Sequence, residues 1–223
     1  MEKSIITQNL GRIEYHKAWE YQEKLFSANL KNKAAGKPTT DYLLFCEHDH
    51  VYTLGKSGSE NNLLVNNRQL QELNVDFVKT NRGGDITYHG PGQIVGYPIF
   101  DLEHFGLGIK DYVHLLEETI IRVIEPYGLK GERLAGATGV WLETQIPGKT
   151  RKICAIGVKA SRHITMHGFA FNVNTDLHFF DLINPCGFTN KGVTSLSREV
   201  GVPQDLNRVR SEVERTMRRI FRE

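Results

Sequence analysis

The chain has 223 residues, 39 % hydrophobic and 24 % charged, with a formal net charge of +2. That is enough chain to bury a core as one soluble domain, and the charge is too small to argue for a nucleic-acid partner. Three cysteines without a CxxC, no apolar run of membrane-spanning length and no signal-peptide core lead us to expect free thiols in a cytoplasmic protein.

In chain order, Tyr15 to Leu30 has the periodicity of an amphipathic helix, with Tyr15, Ala18, Trp19, Leu25, Phe26 and Leu30 on its buried face. Lys31 to Pro38 reads as a solvated connection. Asp41–Cys46, Val51–Leu54, Val75–Lys79 and Ile94–Phe100 have the composition of strands. Asp111 to Tyr127 is a second predicted helix, followed by strands at 139–142, 152–158 and 168–173. A basic helix is expected after Pro203, carrying Arg208, Arg210, Arg215, Arg218, Arg219 and Arg222 as a solvated face or a contact for an acidic partner. Strands cluster and do not alternate with helices, so the expected class is α+β with a mixed sheet and flanking helices. We expect a single domain over residues 1–223, with a possible small C-terminal lobe from about residue 176.

Between two of these strands lies Arg82-Gly83-Gly84-Asp85-Ile86-Thr87-Tyr88-His89-Gly90-Pro91-Gly92-Gln93. Four glycines and a proline bend the backbone repeatedly and admit a ligand close to the main chain. The interleaved polar side chains can orient it. We read this stretch as a functional loop on a rigid scaffold.

Other signals fail on inspection. Gly55-Lys56-Ser57 ends like a phosphate-binding loop, but His50 stands where that motif needs its first glycine. Glu47-His48-Asp49-His50 has metal-binding composition without a matching distal pair. His163 and His167 have zincin spacing, but Ile164 takes the place of the catalytic glutamate, and no GxSxG elbow is present. No metal or cofactor is expected.

Asn184-Pro185-Cys186-Gly187 places a cysteine outside any apolar run, unlike Cys46 and Cys154. A nucleophilic thiol needs a base or cation to hold it as thiolate, and His89, His167, Lys152 and Lys159 are the candidates.

The glycine-rich stretch, Lys152-Ile153-Cys154-Ala155-Ile156-Gly157, His167-Gly168-Phe169-Ala170-Phe171-Asn172 and Asn184-Pro185-Cys186-Gly187, taken in order, resemble the octanoyltransferase (LipB) family. The likeness runs from Glu47-His48 through Val193-Thr194-Ser195-Leu196. It implies the fold of the biotin and lipoate protein ligase catalytic domain. It implies octanoyl transfer from octanoyl-acyl carrier protein to a lysine of apo lipoyl domains, those of 2-oxoacid dehydrogenases and of the glycine cleavage H protein. It maps the acyl-thioester nucleophile onto Cys186 and the pKa-lowering lysine onto Lys152. Substrate contacts map onto Arg82, Gly83, Gly84, Asp85, Ile86, Thr87, Tyr88 and His89, onto Ala155, Ile156 and Gly157, and onto Gly168, Phe169 and Ala170; Asp85 falls at a variable position. Partners beyond these, whether nucleic acid or membrane, are not expected, and the protein is expected to act as a monomer. Lys159 falls where the family carries Lys or Arg and is not the dyad lysine. Glu143 to Arg151 reads as an extended hairpin clear of the motifs.

A thioester donor is already activated, which suits the lack of a usable phosphate loop. Amides of the glycine loop or near Gly157 would serve as oxyanion donors. An ATP-dependent ligase of the same fold would not need Cys186, and a non-catalytic binding module would form no acyl adduct.

Overall fold

Asp41–Glu47 is a strand buried on both faces: Leu43 and Phe45 enter one core cluster, while Leu44 and Cys46 enter another. Period-two alternation with apolar side chains at both phases requires a layer of structure above and below it. The computed structural model, which describes residues 5–184 and 191–221, supplies both layers.

In chain order the strands are β1 (Ile5–Arg12), β2 (Asp41–Glu47), β3 (Val51–Leu54), β4 (Asp76–Lys79), β5 (Ile86–His89), β6 (Gln93–Ile99), β7 (Glu132–Leu134), β8 (Ala137–Leu142), β9 (Arg151–Ser161), β10 (Ile164–Asn172) and β11 (Gly192–Val193). The helices are α1 (Tyr15–Ala34), α2 (Asn67–Glu72), α3 (Ile109–Ile124), α4 (Leu196–Val200) and α5 (Leu206–Ile220). The large mixed sheet runs β1-β2-β6-β10-β9-β8-β7, with β11 on β9, and a small sheet runs β4-β3-β5. Helices α3 and α5 share the core on one face of the large sheet, and α1 covers β2, β6 and β10 on the other. This is the α+β class expected from the clustered strands.

Helix α1 begins where the Glu14 carboxylate accepts from the amides of His16 and Lys17. It continues through Lys31-Asn32-Lys33, so the helix and not a connection occupies the start of the Lys31–Pro38 stretch. Cations in a last turn are favoured by the helix dipole, and Lys33 reaches Asp101 at 2.7 Å. Its buried stripe is Tyr15, Ala18, Gln22, Phe26 and Asn29, and the expected Trp19, Leu25 and Leu30 pack against the same core while partly exposed. The two polar members find distant partners: Gln22 Oε1 accepts from the His167 amide, and Asn29 pairs twice with Thr40.

Helix α5 is capped by Asp205 and buries Val209, Val213, Met217 and Ile220. Two of its arginines are engaged on the helix surface, Arg208 with Glu212 and Arg218 with Glu214. Arg222 lies outside the described residues. Among the described residues, no helix is long and apolar enough to cross a membrane.

Candidate active site

The glycine-rich stretch is not one loop. Ile86–His89 forms β5, paired antiparallel with β3, so the stretch is a tight turn, a strand of the small sheet and a second turn. Gly84 (φ +86°) and Gly92 (φ +79°) make the turns at angles that side chains disfavour. The failed phosphate loop has a different use here. The amides of Gly55, Lys56 and Ser57 donate to the carbonyls of Asp85, Arg82 and Gly84, at 3.3, 3.0 and 3.2 Å. Those three amides hold the Arg82–Asp85 turn and are not free to cradle a phosphate. Close approach is possible because residue 55 is glycine: a Cβ there would lie 2.2 Å from the Gly84 carbonyl oxygen.

Opposite this turn, β9 and β10 bring together two other motifs as cross-strand partners. Gly157 pairs with Gly168, Ile156 with Phe169 and Ala155 with Ala170. The turn is laid onto them by the Gly83 amide, which donates to the Val158 carbonyl at 2.9 Å. Gly168 lets β10 approach β6, since a Cβ would stand 2.1 Å from the Gly96 oxygen. Between the turn and the two strands is a cavity of about 320 Å³. That is within the usual range for a small-molecule site. Arg82, Gly83, Gly84, Asp85, Ile86, Thr87 and His89 line it, as do Ala155–Gly157 and Gly168–Ala170.

Tyr88 does not. Alternation along β5 turns its side chain into the small-sheet core, against Phe179 at 4.8 Å between ring centroids, with its hydroxyl 2.7 Å from His50 Nδ1. A residue between two cavity-lining neighbours on a strand faces away from the cavity.

Lys152 lies at one end. Its Nζ donates to the Thr138 carbonyl at 3.1 Å and sits 4.5 Å from the Trp141 ring centroid. Gly139 (φ +126°) lets β8 lie close against β9 beside it, since a Cβ there would stand 2.5 Å from the Cys154 carbonyl oxygen. Six residues along β9, about 20 Å of strand, separate Lys152 from Val158 at the other end. Lys152 also lines a second, more open cavity of about 1010 Å³, whose wall includes Asn184 and Lys191. Cys186 lies outside the described residues.

The charged side chains lining the inner cavity are two cations, Arg82 and Lys152, and one carboxylate, Asp85. Arg82 is buried; its Nη2 donates to the Thr53 carbonyl at 2.6 Å and to Thr53 Oγ1 at 2.9 Å. The Thr53 hydroxyl proton is then left for His89 Nε2, 3.2 Å away. That places the ring proton of His89 on Nδ1, donated to Gln93 Oε1 at 2.9 Å. Burial holds the His89 pKa well below its ordinary value, so the ring is neutral at pH 7. His167 is pushed down to about 3 by burial, with Arg82 and Lys159 adding to the shift. Its Nε2–H donates to Asn81 Oδ1 at 2.7 Å, and Asn81 donates in turn to Glu23.

Cys46 and Cys154 are both buried, and burial pushes both thiols up, away from the thiolate. Lys159 pairs with Glu23 at 3.2 Å and lies over the Phe26 ring, on the α1 side. Of the expected oxyanion donors, the amides of Gly83, Ile86 and Gly92 are already bound, to Val158, Asp85 and Glu47.

The cavity also recruits Tyr15, Gln93, Tyr97, His167 and Asn172, which sequence reasoning did not assign to the substrate site. Gln93 and Asn172 close the glycine stretch and the His167 motif, so each lay in a motif that carried assigned residues. Tyr15 and Tyr97 looked like ordinary core positions, and nothing in the sequence marked them.

The family model of the lipoyl protein ligase A/B catalytic domain matches residues 14–218. The chain is 60 % identical over 213 residues to an octanoyltransferase of Parabacteroides distasonis, covering 96 % of each. It is 50 % identical over 223 residues to that of Bacteroides thetaiotaomicron, covering 100 % of this chain and 97 % of the relative. Among solved structures, a bipartite lipoate protein ligase from Thermoplasma acidophilum superposes with a TM-score of 0.69 at 14 % identity, covering 99 % of this chain and 84 % of that one. A biotin protein ligase from Aquifex aeolicus gives 0.55 at 13 % identity, covering 98 % and 70 %. These two likenesses bear on the fold. With relatives this similar over their full length, and with three of the four motifs meeting around one cavity, the chain belongs to the octanoyltransferases, acyltransferases of the lipoyl protein ligase A/B family.

Proposed function

We infer that the protein transfers octanoyl from octanoyl-acyl carrier protein to a lysine of apo lipoyl domains, in two steps through an acyl-thioester on Cys186. The acceptors are the lipoyl domains of 2-oxoacid dehydrogenases and the glycine cleavage H protein, and the enzyme works as a cytoplasmic monomer with one catalytic domain. The observation that carries this reading is the position of Lys152, where a largely apolar cavity meets a larger and more polar one. The apolar cavity suits an acyl chain, and the more polar one suits the arm of a carrier or the side chain of an acceptor.

In the first step the Cys186 thiolate attacks the thioester carbonyl. The carbon–sulfur bond to the carrier breaks, and the departing thiolate takes a proton from the Lys152 ammonium. In the second step the acceptor amine attacks the acyl-enzyme and loses a proton to neutral Lys152. Cys186 leaves as thiolate, so proton and charge return to the starting state. His89 and His167 are neutral and hydrogen-bonded within the protein, which leaves proton transfer to the lysine.

The test is to incubate the protein with octanoyl-acyl carrier protein and weigh it. One added octanoyl group, mapped to Cys186 and absent from Cys186→Ala and Cys186→Ser, is the expected result. Cys154→Ala and Cys46→Ala keep the adduct. Turnover that survives Cys186→Ala and needs ATP would instead make the chain a ligase.

A further inference from the structure

We propose that Thr194 is the positioning residue that sets Lys152, and with it the proton transfers of the dyad. The proposal rests on the reading of Lys152 as the base.

Thr194 is fully buried and uses all three of its polar groups around one point. Its amide donates to the Lys152 carbonyl at 2.9 Å. Its carbonyl accepts from Asn172 Nδ2 at 3.0 Å. Its hydroxyl donates to Glu199 Oε1 at 2.5 Å, and Glu199 takes Arg151 Nε and Nη2 at 2.6 Å each. Two consecutive residues of β9, Arg151 and Lys152, are therefore fixed through the same threonine.

The need for such a fixing point follows from the sheet. Strand β10 runs along β9 only as far as the Phe171–Cys154 pair. Beyond it, β11 takes the vacated edge with two register pairs, Gly192–Arg151 and Val193–Lys152. A two-residue parallel ladder is marginal by itself. On the opposite edge β8 has a register irregularity between Val140 and Trp141, the residues that pair with Cys154 and Lys152. Lys152 thus lies where the regular ladder is weakest on both sides, while its Nζ must hold its place against Thr138 and Trp141.

The clamp also reaches the far end of the cavity. Asn172 Oδ1 accepts from Gln93 Nε2 at 2.9 Å, and Gln93 continues to His89, Thr53 and Arg82. These side-chain bonds run without a break from Thr194 to Arg82, so the two ends of the cavity are tied together.

The experiment measures the single-turnover rate of octanoyl adduct formation against pH, with the donor KM and the melting temperature, for wild type, Thr194→Val, Thr194→Ser and Lys152→Ala. Valine removes the hydroxyl and keeps the shape and both main-chain bonds. We expect Thr194→Val to lose on the order of tenfold or more in adduct rate, since small displacements of a catalytic group cost that much. Its pH midpoint shifts in the same direction as that of Lys152→Ala, the donor KM is unchanged, and Thr194→Ser restores the midpoint. A folded Thr194→Val with the wild-type rate and midpoint, beside a shifted Lys152→Ala, overturns the proposal alone. A wild-type profile in Lys152→Ala overturns the reading of the base and the proposal with it. If Thr194→Val does not fold, Glu199→Gln weakens the same contact and must give the same midpoint shift; an unshifted Glu199→Gln overturns the proposal.

Discussion

At the scale of single residues, one methyl group at position 55 is enough to test how the substrate turn is held. A Cβ on Gly55 would lie 2.2 Å from the Gly84 oxygen and 2.8 Å from Arg82 Nη1, so Gly55→Ala must push the turn off β3. The expected result is a rise in donor KM of about tenfold or more, because the displaced groups line the cavity, with a loss of stability of about 1–3 kcal/mol from the overpacking. Unchanged steady-state kinetics in Gly55→Ala would show that the turn is positioned from elsewhere. Lys152 gives a second test. Lys152→Arg keeps a cation but no usable base, since arginine does not deprotonate in proteins. It should form the acyl adduct and then stall before amine attack, whereas Lys152→Ala should be slow at the first step and recover in part as pH rises. Mass spectra before and after addition of the acceptor domain separate the two. An arginine variant that completes transfer at the wild-type rate removes the base role from Lys152.

Among the elements, β6 and β10 meet through two glycines that face opposite neighbours. Gly96 lies beneath the Phe169 ring, where a Cβ would stand 2.1 Å from Cζ, and Gly168 lies against the Gly96 carbonyl. Gly168→Ala should separate the strands and cost about 1–3 kcal/mol or more, read as a lowered urea midpoint. A midpoint equal to that of wild type would show that the backbone relaxes without cost. Both glycines belong to runs that were legible in the sequence as strands, since apolar and β-branched residues flank them. The less legible elements fail for identifiable reasons. Strand β1 carries little apolar alternation beyond Ile5, because it lies at a sheet edge and is mostly part-exposed or exposed. Strand β5 was hidden inside the glycine-rich stretch, being only four residues long. The buried Gln22 and Asn29 of α1 could not be read, because their partners, His167 and Thr40, are fixed by tertiary contacts. The stretches that line the candidate site were legible by their glycines, which admit neighbouring backbone at Gly55, Gly157 and Gly168. Tyr88, chosen for its polar hydroxyl, was decided by strand alternation.

For the whole molecule, three buried histidines make stability depend on pH above the range where carboxylates usually act. His48 Nδ1–H donates to the Ile13 carbonyl and its Nε2 accepts from the Tyr97 hydroxyl, an arrangement that needs a neutral ring. Burial lowers His48 to about 4 and His167 to about 3, and drives His89 down as well. In the unfolded chain these rings protonate near 6.5. Between the folded and unfolded values the unfolded state binds more protons, so stability rises with pH across that window and is lost as pH falls below about 6.5. Each such ring contributes a slope of up to about 1.4 kcal/mol per pH unit. Glu199, lowered mainly by its Arg151 pairing, acts in the same direction at lower pH. We therefore expect the unfolding free energy to hold steady from pH 8 to 7 and to fall clearly from pH 6.5 to 5. His48→Gln should be less stable at pH 7 but lose less between pH 6.5 and 5, by the slope of one proton. The measurement is urea unfolding at four pH values for both proteins. Parallel pH dependences in wild type and His48→Gln would mean that His48 titrates in the folded protein as it does in the unfolded chain.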